Sequence, residues 1–190
     1  SKVDSQHIRT GNLTDAEWEK LIESAGIIGK SNLIIDDTPG ISISEMRSKC
    51  RKYKLEHDLK LIIIDYLQLI FSEEKLTKTQ SRYEQQDDIS RELKTMARNL
   101  NIPVICTSPL SKKCELRSDK RPTISDLCDT QVNESVMDQI IFLYRDRYYN
   151  PETPVEDMAE CIIAKNRYGD IGTIKLRWDP ERVAFSLWEE

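Results

Sequence analysis

Residues 61–65 read Leu-Ile-Ile-Ile-Asp, and the interpretation of the chain begins from this run. Its unbroken apolar side chains predict a strand over 59–66 that is buried on both faces, as strands are in the middle of a parallel sheet covered by helices. The aspartate at its end should lie at the carboxyl edge of the sheet. Open α/β sheets bind their ligands at that edge.

Helical and strand patterns alternate on both sides of this run. The predicted elements are a helix over 14–25 opened by a Thr14–Glu17 capping box and ended by Gly26, a strand over 32–36, a helix opened by a Ser42–Glu45 capping box, a helix over 83–101, and strands over 102–108, 139–144, 159–164, 171–177 and 183–187. The strands over 159–164 and 171–177 form a hairpin around Tyr168-Gly169-Asp170. The alternation predicts right-handed parallel crossovers and an α/β domain.

Apolar residues at helical spacing mark one face of each predicted helix. These residues are Trp18, Leu21, Ile22 and Ala25 in the first helix, Ile43, Met46, Cys50 and Tyr53 in the second, and Ile89, Leu93, Met96, Ala97 and Leu100 in the third. Polar residues over 71–80 predict a loop, and residues 123–138 predict a short helix followed by a loop.

Length and composition indicate an ordinary globular domain. The chain has 190 residues, of which 38% are hydrophobic and 32% charged, and its net charge is −5. The acidic balance excludes a generally basic nucleic-acid-binding protein, so any contact with nucleic acid must come from local patches. No apolar run approaches the roughly 20 residues that cross a bilayer, and the polar N-terminus has no secretory segment. We therefore expect no membrane contact and a cytoplasmic location.

The cysteines and histidines indicate neither a disulfide framework nor a zinc site. The five cysteines are Cys50, Cys106, Cys114, Cys128 and Cys161, and none of them forms a CxxC pair. We interpret them as reduced thiols of a cytoplasmic protein. His7 and His57 have no ligand-like neighbour at helical spacing and are expected on the surface.

Apolar residues ending in Asp65 form the Walker B pattern. A rigid strand end can hold a carboxylate where it binds magnesium, usually through water. Many buried strands also end in Asp, and the accompanying G-x-x-x-x-G-K-[ST] loop is absent from these residues. Gly26–Ser31 ends in G-K-S, but its spacing is wrong and it precedes a predicted strand. On these residues alone two interpretations stay open: an ATPase fragment that begins after its phosphate loop, or another fold with an ordinary strand-end Asp.

Phrases along nearly the whole chain resemble the C-terminal motor domain of DnaB-type replicative helicases. The matching phrases are Val3-Asp4-Ser5, Arg9-Thr10-Gly11, Asp37-Thr38-Pro39-Gly40, Ile64-Asp65-Tyr66-Leu67-Gln68-Leu69, Ile89-Ser90-Arg91-Glu92-Leu93-Lys94, Asp119-Lys120-Arg121-Pro122, Ser125-Asp126-Leu127, Phe142-Leu143-Tyr144-Arg145-Asp146, Tyr148-Tyr149 and Ile162-Ile163-Ala164-Lys165-Asn166-Arg167. Their joint order and spacing carry the resemblance.

The resemblance implies a RecA-like P-loop NTPase core, with a mainly parallel sheet flanked by helices and a C-terminal β-hairpin. Residues 1–190 would be the rear part of one motor domain, incomplete at its N-terminus. The family acts as a homohexameric ring that unwinds duplex DNA by moving 5′-to-3′ on single-stranded DNA, with ATP and Mg²⁺ bound between subunits. Primase and a helicase loader become candidate partners.

Functional residues follow from the same resemblance. Asp65 falls on the Walker B aspartate, the metal-site and nucleotide-site residue. Lys165 and Arg167 fall on the basic pair that reaches into the neighbouring subunit's site, where a cation can stabilise charge developing on the γ-phosphoryl group. The other interpretation of this pair is a hairpin with a solvated basic tip.

A basic segment corresponds to the family's pore-facing region. Its cations are Lys112, Lys113, Arg117, Lys120 and Arg121, accompanied by two acids, Glu115 and Asp119. Phosphate contacts need such cations and backbone N–H groups rather than base-specific side chains. The other interpretation is plain solvation of a mixed charged loop.

Three positions depart from the family pattern. Ser108-Pro109-Leu110 stands where the family has Ser-Gln-Leu, and Pro cannot replace the amide that senses the γ-phosphate. Cys128–Gln131 replaces Arg-Glu-Ser-Gly in the DNA loop, which removes a cation and a flexible Gly. Tyr168-Gly169-Asp170 replaces the family's Asn-Gly-Pro. These departures weaken the expectation that the protein senses the γ-phosphate and binds DNA in the way that the family does.

The leading interpretation is therefore part of an ATP-dependent replicative DNA helicase. The alternative is a non-hydrolysing, divergent relative that keeps the fold and the subunit contacts and acts as a DNA-binding or assembly module. A third interpretation, a RecA-like recombinase or clock-type ATPase relative, shares the Walker B strand but not the phrases above.

The 190-residue chain by itself is expected to hydrolyse no ATP. The resemblance places the phosphate loop and the catalytic glutamate before residue 1, and both are needed to bind and attack the γ-phosphate. Phosphate release in Mg²⁺-ATP tests the expectation, with Asp65→Ala as the control. A steady rate that Asp65→Ala abolishes would contradict it.

Overall fold

A computed structural model of the protein describes residues 1–71, 82–128 and 133–189. The chain divides into two compact units. The first comprises Ser1–Asp36, Leu143–Ile162 and Thr173–Glu190, and the second comprises Asp37–Phe142 and Ile163–Gly172. The loop predicted over 71–80 lies, apart from Phe71, outside the described residues.

The helices and strands follow in the order expected of an α/β chain. The helices are α1 (Ser5–Thr10), α2 (Asp15–Gly29), α3 (Ile43–His57), α4 (Arg82–Leu100), α5 (Ile124–Cys128) and α6 (Asp146–Tyr149), and the strands are β1 (Ile62–Ile64), β2 (Val104–Cys106), β3 (Gln139–Tyr144), β4 (Met158–Asn166), β5 (Gly172–Asp179) and β6 (Ala184–Leu187). Short 3₁₀ helices occupy Leu67–Leu69, Lys112–Leu116 and Glu134–Val136.

The second unit is built around the parallel pair β1–β2. Ile62 pairs with Val104 and Ile64 with Cys106. Helix α4 packs against β2, and α3 packs against α4. The buried residues are Ile43, Met46 and Cys50 from α3, Ile62 and Ile64 from β1, Leu67, and Ile89, Leu93 and Met96 from α4. The predicted inward faces of α3 and α4 are therefore confirmed at these positions.

Local capping explains where α3 begins. The Ser42 hydroxyl accepts a hydrogen bond from the Glu45 N–H at 3.2 Å, and Ser42 is fully buried. This bond satisfies one of the N–H groups that have no partner at the start of a helix. The Glu45 carboxylate lies 3.2 Å from the Lys49 ammonium one turn later.

The first unit begins with two capped helices. Thr14 and Glu17 form the predicted capping box at the start of α2. The Thr14 N–H and the His7 ring both hydrogen-bond the Glu17 carboxylate, and together they lower its pKa to about 2. In the same unit, the Arg145 guanidinium lies 4.4 Å from the centre of the Trp178 ring, a cation–π distance.

Strands β3 to β6 form a second sheet in the order β3-β4-β5-β6. β3 matches the predicted residues, and β4 and β5 are the predicted hairpin strands, each longer than expected. β5 and β6 pair antiparallel, with Trp178 opposite Phe185. The predicted edge strand near the C-terminus is therefore confirmed as β6.

Several of the predicted elements differ from the structure. β1 and β2 are shorter than expected, since they cover only Ile62–Ile64 of the predicted 59–66 and Val104–Cys106 of the predicted 102–108. α2 continues through Gly26 to Gly29 and ends at Lys30, because a glycine inside a helix costs only about 1 kcal/mol and does not stop it. The predicted strand over 32–36 is absent from the described residues. A strand needs a hydrogen-bonded neighbour, and Leu33 and Ile35 are instead 60% and 78% exposed.

The burial expected of β1 and of α2 is also wrong in part. Ile63 of β1 is 64% exposed and its partner Ile105 is 54% exposed, whereas Ile62 and Ile64 on the other face of the strand are buried. Trp18 and Ile22 of α2 are 51% and 67% exposed. Apolar periodicity identified these elements correctly, but it could not show which of their faces acquire a cover.

Among the described residues, none of the helices combines the length and the hydropathy that a bilayer crossing requires.

Candidate functional site

Asp65 lies at the carboxyl end of β1, where the sequence placed it. The Thr107 hydroxyl donates a hydrogen bond to Asp65 Oδ1 at 2.6 Å. Thr107 is itself fixed by its backbone, because its N–H donates to the Ile64 carbonyl at 2.9 Å and its carbonyl accepts from the Leu67 N–H at 3.0 Å. Two adjacent parallel strands thus deliver a carboxylate and a hydroxyl to one edge of the sheet.

The donor set at this edge fits magnesium. Asp65 is exposed, and the contact with Thr107 engages only one of its two carboxylate oxygens. Mg²⁺ prefers oxygen ligands, keeps several waters and is commonly bound through one or two carboxylates plus substrate phosphates. Among the described residues, no group of three or more His, Cys, Asp and Glu side chains could hold a metal ion. A magnesium ion at Asp65 would therefore complete its coordination with water or phosphate.

Cys106 lies beside this edge on β2. Burial, together with the negative charge of Asp65, raises the pKa of the Cys106 thiol to about 12. A thiol with so high a pKa stays protonated and is a poor nucleophile or metal ligand. Cys50, Cys106, Cys114 and Cys161 are free thiols, and the Cys128 side chain lies outside the described residues.

Pro109, which stands where the family pattern has Gln, lies two residues after Thr107. The Gln68 amide donates a hydrogen bond to the Ser108 hydroxyl at 3.0 Å. This places an amide side chain from the β1 side of the sheet next to the Ser108-Pro109-Leu110 segment.

Lys165 and Arg167 lie at the end of β4 and the start of the hairpin turn. The Lys165 ammonium donates to the Glu134 carbonyl at 2.7 Å, and the Arg167 Nη2 donates to the Ser135 carbonyl at 3.3 Å. Arg167 Nη1 also lies 3.0 Å from Asp138 Oδ1. The structure thus brings both predicted cations to the short segment before β3, and no hydrogen bond or ion pair joins them to Asp65 within the described residues.

The hairpin turn is shaped by Asn166. Its amide donates to the Asp170 carbonyl at 3.2 Å, and its Oδ1 accepts from the Gln139 amide at 3.2 Å. A Cβ atom at Gly169 would stand 2.8 Å from the Asn166 amide nitrogen, so a side chain there would displace the Asn166 amide from this position. The turn itself is exposed and carries Arg167 at its start.

The predicted DNA-binding cations separate into two groups. Arg117 binds both carboxylate oxygens of Asp126, at 2.6 and 2.8 Å, and donates to the Arg121 carbonyl at 2.7 Å. Arg121 lies 3.3 Å from an Asp119 carboxylate oxygen. Lys112 and Lys113 are exposed on a 3₁₀ helix, and Lys120 is half-buried.

Asp126 explains why Arg117 is held. The Asp126 side chain is only 3% exposed, and a buried carboxylate needs a counter-charge and hydrogen bonds. Arg117, followed by the Thr123 N–H and hydroxyl, lowers the pKa of Asp126 to about 2. The Arg117–Asp126 pair fastens the basic segment to the start of α5.

The predicted sites rest on residues that the sequence did not single out. Thr107, Asp126 and Asp138 each hold one of the predicted residues by a hydrogen bond or an ion pair. Thr107 had a usable signal, because a polar residue that follows the neighbouring parallel strand must lie at the same edge as Asp65. Asp126 lies in the family phrase Ser125-Asp126-Leu127, but its pairing with Arg117 and the contact of Asp138 with Arg167 are recognisable only from the structure.

Solved structures of similar fold define the class of this protein. It superposes on the structure "ATPase Domain of G40P" with a TM-score of 0.90 and 39% sequence identity, covering 98% of this chain and 66% of that one. It matches "The Structure Of A DnaB-Like Replicative Helicase And Its Interactions With Primase" with a TM-score of 0.89 and 39% identity, covering 98% of this chain and 45% of that one. The chain has the fold of RecA-like helicase domains, and the predicted α/β, RecA-like fold is confirmed.

Sequence comparison defines the family. The family model "DnaB-like helicase C terminal domain" matches residues 1–187, and the chain belongs to this family. It is 46% identical over 183 residues to the replicative DNA helicase DnaC of Bacillus subtilis (strain 168), covering 96% of this chain, and 42% identical over 183 residues to the replicative DNA helicase DnaB of Geobacillus stearothermophilus, again covering 96%. The chain spans 40% of the length of each of these relatives.

Replacing Asp126 by Asn is expected to destabilise the protein in a pH-dependent way. The pKa of Asp126 is depressed in the folded state, so its stabilising effect is full above the unfolded pKa, near 3.9, and is lost as pH falls toward about 2. The free energy of unfolding should drop by about 1–3 kcal/mol at neutral pH. Urea unfolding of the 190-residue chain should show the difference from wild type narrowing between about pH 4 and pH 2.

Two further variants make this test specific. Arg117→Met should reproduce the loss at neutral pH, whereas Asp119→Asn in the same segment should cost little, because Asp119 is 66% exposed. Equal losses for Asp126→Asn and Asp119→Asn would contradict the structural role of the Arg117–Asp126 pair.

Proposed function

We propose that this chain is the part of an ATP-dependent replicative DNA helicase that carries the Walker B strand and the cations acting on the neighbouring subunit. The family match over residues 1–187 supports the class of activity. The observation that carries the proposal is Asp65 at the carboxyl end of a parallel strand pair, with its carboxylate oriented by Thr107 at 2.6 Å. The strand pair holds the carboxylate rigidly at the edge where a nucleotide binds.

Asp65 is proposed to hold Mg²⁺ through water next to the phosphates of ATP. Asp65 would hold the ion there, and the ion would supply positive charge to offset the charge that develops on the γ-phosphoryl group. Thr107 keeps one carboxylate oxygen occupied, so the orientation of Asp65 is set before the ion arrives. Preorganised groups of this kind cost little rearrangement at the moment of reaction.

Lys165 and Arg167 are proposed to act on ATP bound to the neighbouring subunit of a homohexameric ring. They lie together at the hairpin turn and make no hydrogen bond or ion pair with Asp65 in the described part of the chain. The family match over residues 1–187 supports the role in trans. An arginine supplied to a neighbouring γ-phosphate can raise kcat by about 10³–10⁵.

Single-stranded DNA is proposed to contact the basic segment through Lys112, Lys113 and Lys120. Arg117 is bound by the buried Asp126, so we assign it to holding the segment. Arg121, which pairs with the exposed Asp119, is proposed to contact DNA together with the three lysines. Contacts of this kind go to phosphates and carry no sequence preference. That suits a motor that moves along any sequence.

Partners and location follow from the proposed class. We propose action in the cytoplasm, with primase as a partner and a helicase loader as a further one. The structural neighbour with 39% identity is described as a replicative helicase and its interactions with primase, which supports the first partner.

The second candidate function is a non-hydrolysing DNA-binding or assembly module. Pro109 favours it, because this residue stands where the family's phosphate-sensing amide is expected and its side chain has no donor. Gln68 lies close to that position, since its amide donates to the Ser108 hydroxyl at 3.0 Å. The proposed helicase uses that neighbouring amide in the sensing role.

A chimera tests the helicase proposal. In it, this chain replaces the matching segment of the Bacillus subtilis replicative helicase, to which it is 46% identical. We expect assembled rings that hydrolyse ATP, are stimulated by single-stranded DNA and unwind a forked duplex. Asp65→Asn should lower kcat by about 10²-fold or more, because a bound metal ion supplies several kcal/mol of charge stabilisation.

Asp58→Asn is the matched control, since Asp58 is an exposed carboxylate just before β1 and should leave kcat unchanged. Rings that bind ATP and DNA without hydrolysis would favour the assembly module. A rate that Asp65→Asn does not lower would remove Asp65 from the site.

DNA binding by the same chimera should depend on the three lysines. Replacing Lys112, Lys113 and Lys120 by Gln should weaken binding of oligo(dT) and reduce the slope of log K against log salt by up to about 2, since each phosphate contact on single strands contributes about 0.7. Fluorescence anisotropy across a potassium chloride series measures both.

The control replaces Lys20, Lys52 and Lys60, which are exposed elsewhere, by Gln and changes the net charge equally. Equal losses for the two triple variants would assign the effect to net charge and contradict a DNA contact at the basic segment.

A further inference from the structure

Asp138 stands at the point where the segment before β3 meets the hairpin turn. Its backbone carbonyl accepts a hydrogen bond from the Arg167 N–H at 2.8 Å. Its side-chain Oδ1 lies 3.0 Å from Arg167 Nη1. One aspartate therefore fixes both the backbone and the guanidinium of the same arginine.

A second cation reaches Asp138 from a different element. Lys94 extends from α4, and its ammonium forms a hydrogen-bonded ion pair with Asp138 Oδ2. Oδ2 of Asp138 is thus hydrogen-bonded to Lys94, whereas Oδ1 has an ion-pair contact with Arg167 and accepts no hydrogen bond within the described residues. α4 is a long helix, and Leu93 and Met96 on either side of Lys94 in sequence are buried, so the backbone that carries Lys94 is held firmly in place.

The residues just before Asp138 hold the other cation. The Glu134 carbonyl accepts from the Lys165 ammonium at 2.7 Å, and the Ser135 carbonyl accepts from Arg167 Nη2 at 3.3 Å. The segment over 134–138 therefore contacts the ends of both side chains. Long flexible cations lose much of their rotational freedom when their ends are held in this way.

The charge of Asp138 is stable under ordinary conditions. The hydrogen bond from Lys94 lowers the pKa of this carboxyl, and the nearby charges of Lys94, Arg167 and Lys165 lower it further. It is therefore an anion throughout the neutral range and a constant counter-charge for Arg167.

The ion pair is too exposed to be explained by stability alone. The side chains of Arg167 and Asp138 are 43% and 37% exposed, and pairs of this kind contribute little to folding. A guanidinium has five N–H donors. The contacts described above involve its two terminal nitrogens, so donors remain for an incoming phosphate oxygen.

We propose that Asp138 is a positioning residue. Lys94 holds the Asp138 carboxylate, which orients Arg167, and the Glu134 and Ser135 carbonyls keep Lys165 and Arg167 side by side. Both cations would then face the γ-phosphate of a nucleotide bound to the neighbouring subunit. This inference rests on the proposed trans role of the two cations. Asp138 touches no substrate and acts only through Arg167 and its surroundings.

The kinetic test uses the chimera described above. Arg167→Ala should lower kcat for ATP hydrolysis by about 10³-fold. Asp138→Asn should lower kcat by about 10²-fold with little change in the KM for ATP, because a misplacement near 1 Å can cost that much while ground-state binding is kept. The double variant should be no slower than Arg167→Ala alone. Asp138→Glu should restore part of the rate.

A second measurement needs no activity. In the 190-residue chain, the side-chain N–H resonances of Arg167 should show hindered rotation of the guanidinium. Asp138→Asn should remove that hindrance, and Lys94→Met should weaken it. Asp58→Asn, which exchanges an exposed aspartate outside this cluster, is the control and should change neither the resonances nor the rate.

The outcomes separate the two proposals. A normal rate for Arg167→Ala would overturn the proposed trans role itself. A slow Arg167→Ala with a normal Asp138→Asn would overturn only the positioning role, and so would a double variant whose losses multiply. Unchanged Arg167 resonances in Asp138→Asn would overturn it independently of assembly or hydrolysis.

Discussion

The parallel pairing of β1 with β2 is the constraint on which the rest of the candidate site depends. Ile62 to Ile64 align with Val104 to Cys106, so the residues that follow each strand must emerge at the same edge. Asp65 and Thr107 are those residues, and the hydrogen bond between them follows from the register. A shift of one residue in either strand would turn the alternate side chains to the other face and separate the pair.

The buried face of this pair explains why the edge is rigid. Ile62 and Ile64 are buried on the strand pair against which α4 packs, and Met96 and Ile89 of α4 are almost fully buried. Close packing leaves few alternative arrangements for the strands. The opposite face, with Ile63 and Ile105, is open. Rigidity at Asp65 therefore comes from one packed layer together with the backbone bonds of Thr107 to Ile64 and Leu67.

Local patterns predicted the elements well and their surroundings less well. α4, β3 and the β4–β5 hairpin follow from periodicity and turn residues, which are properties of short segments. The strand expected over 32–36 and the buried outer face of β1 both depended on a partner elsewhere in space, and sequence periodicity contains no information about that partner. The same division holds at the site. Asp65, Lys165 and Arg167 were found by motif, whereas Thr107, Asp126 and Asp138 are defined by contacts between distant residues.

The pairs Arg117–Asp126 and Arg167–Asp138 show that the burial and the other partners of the aspartate determine whether the arginine can bind a further ligand. Asp126 is 3% exposed and its oxygens are bound by Arg117, so removing Arg117 would leave a buried charge unpaired at a large cost. Asp138 is 37% exposed and already has Lys94 as a second cation. Arg167 can therefore offer its remaining N–H donors to a phosphate while it stays in contact with Asp138. A buried carboxylate with a single cationic partner gives that cation a structural role. A half-exposed carboxylate with two cationic partners can orient one of them toward a ligand.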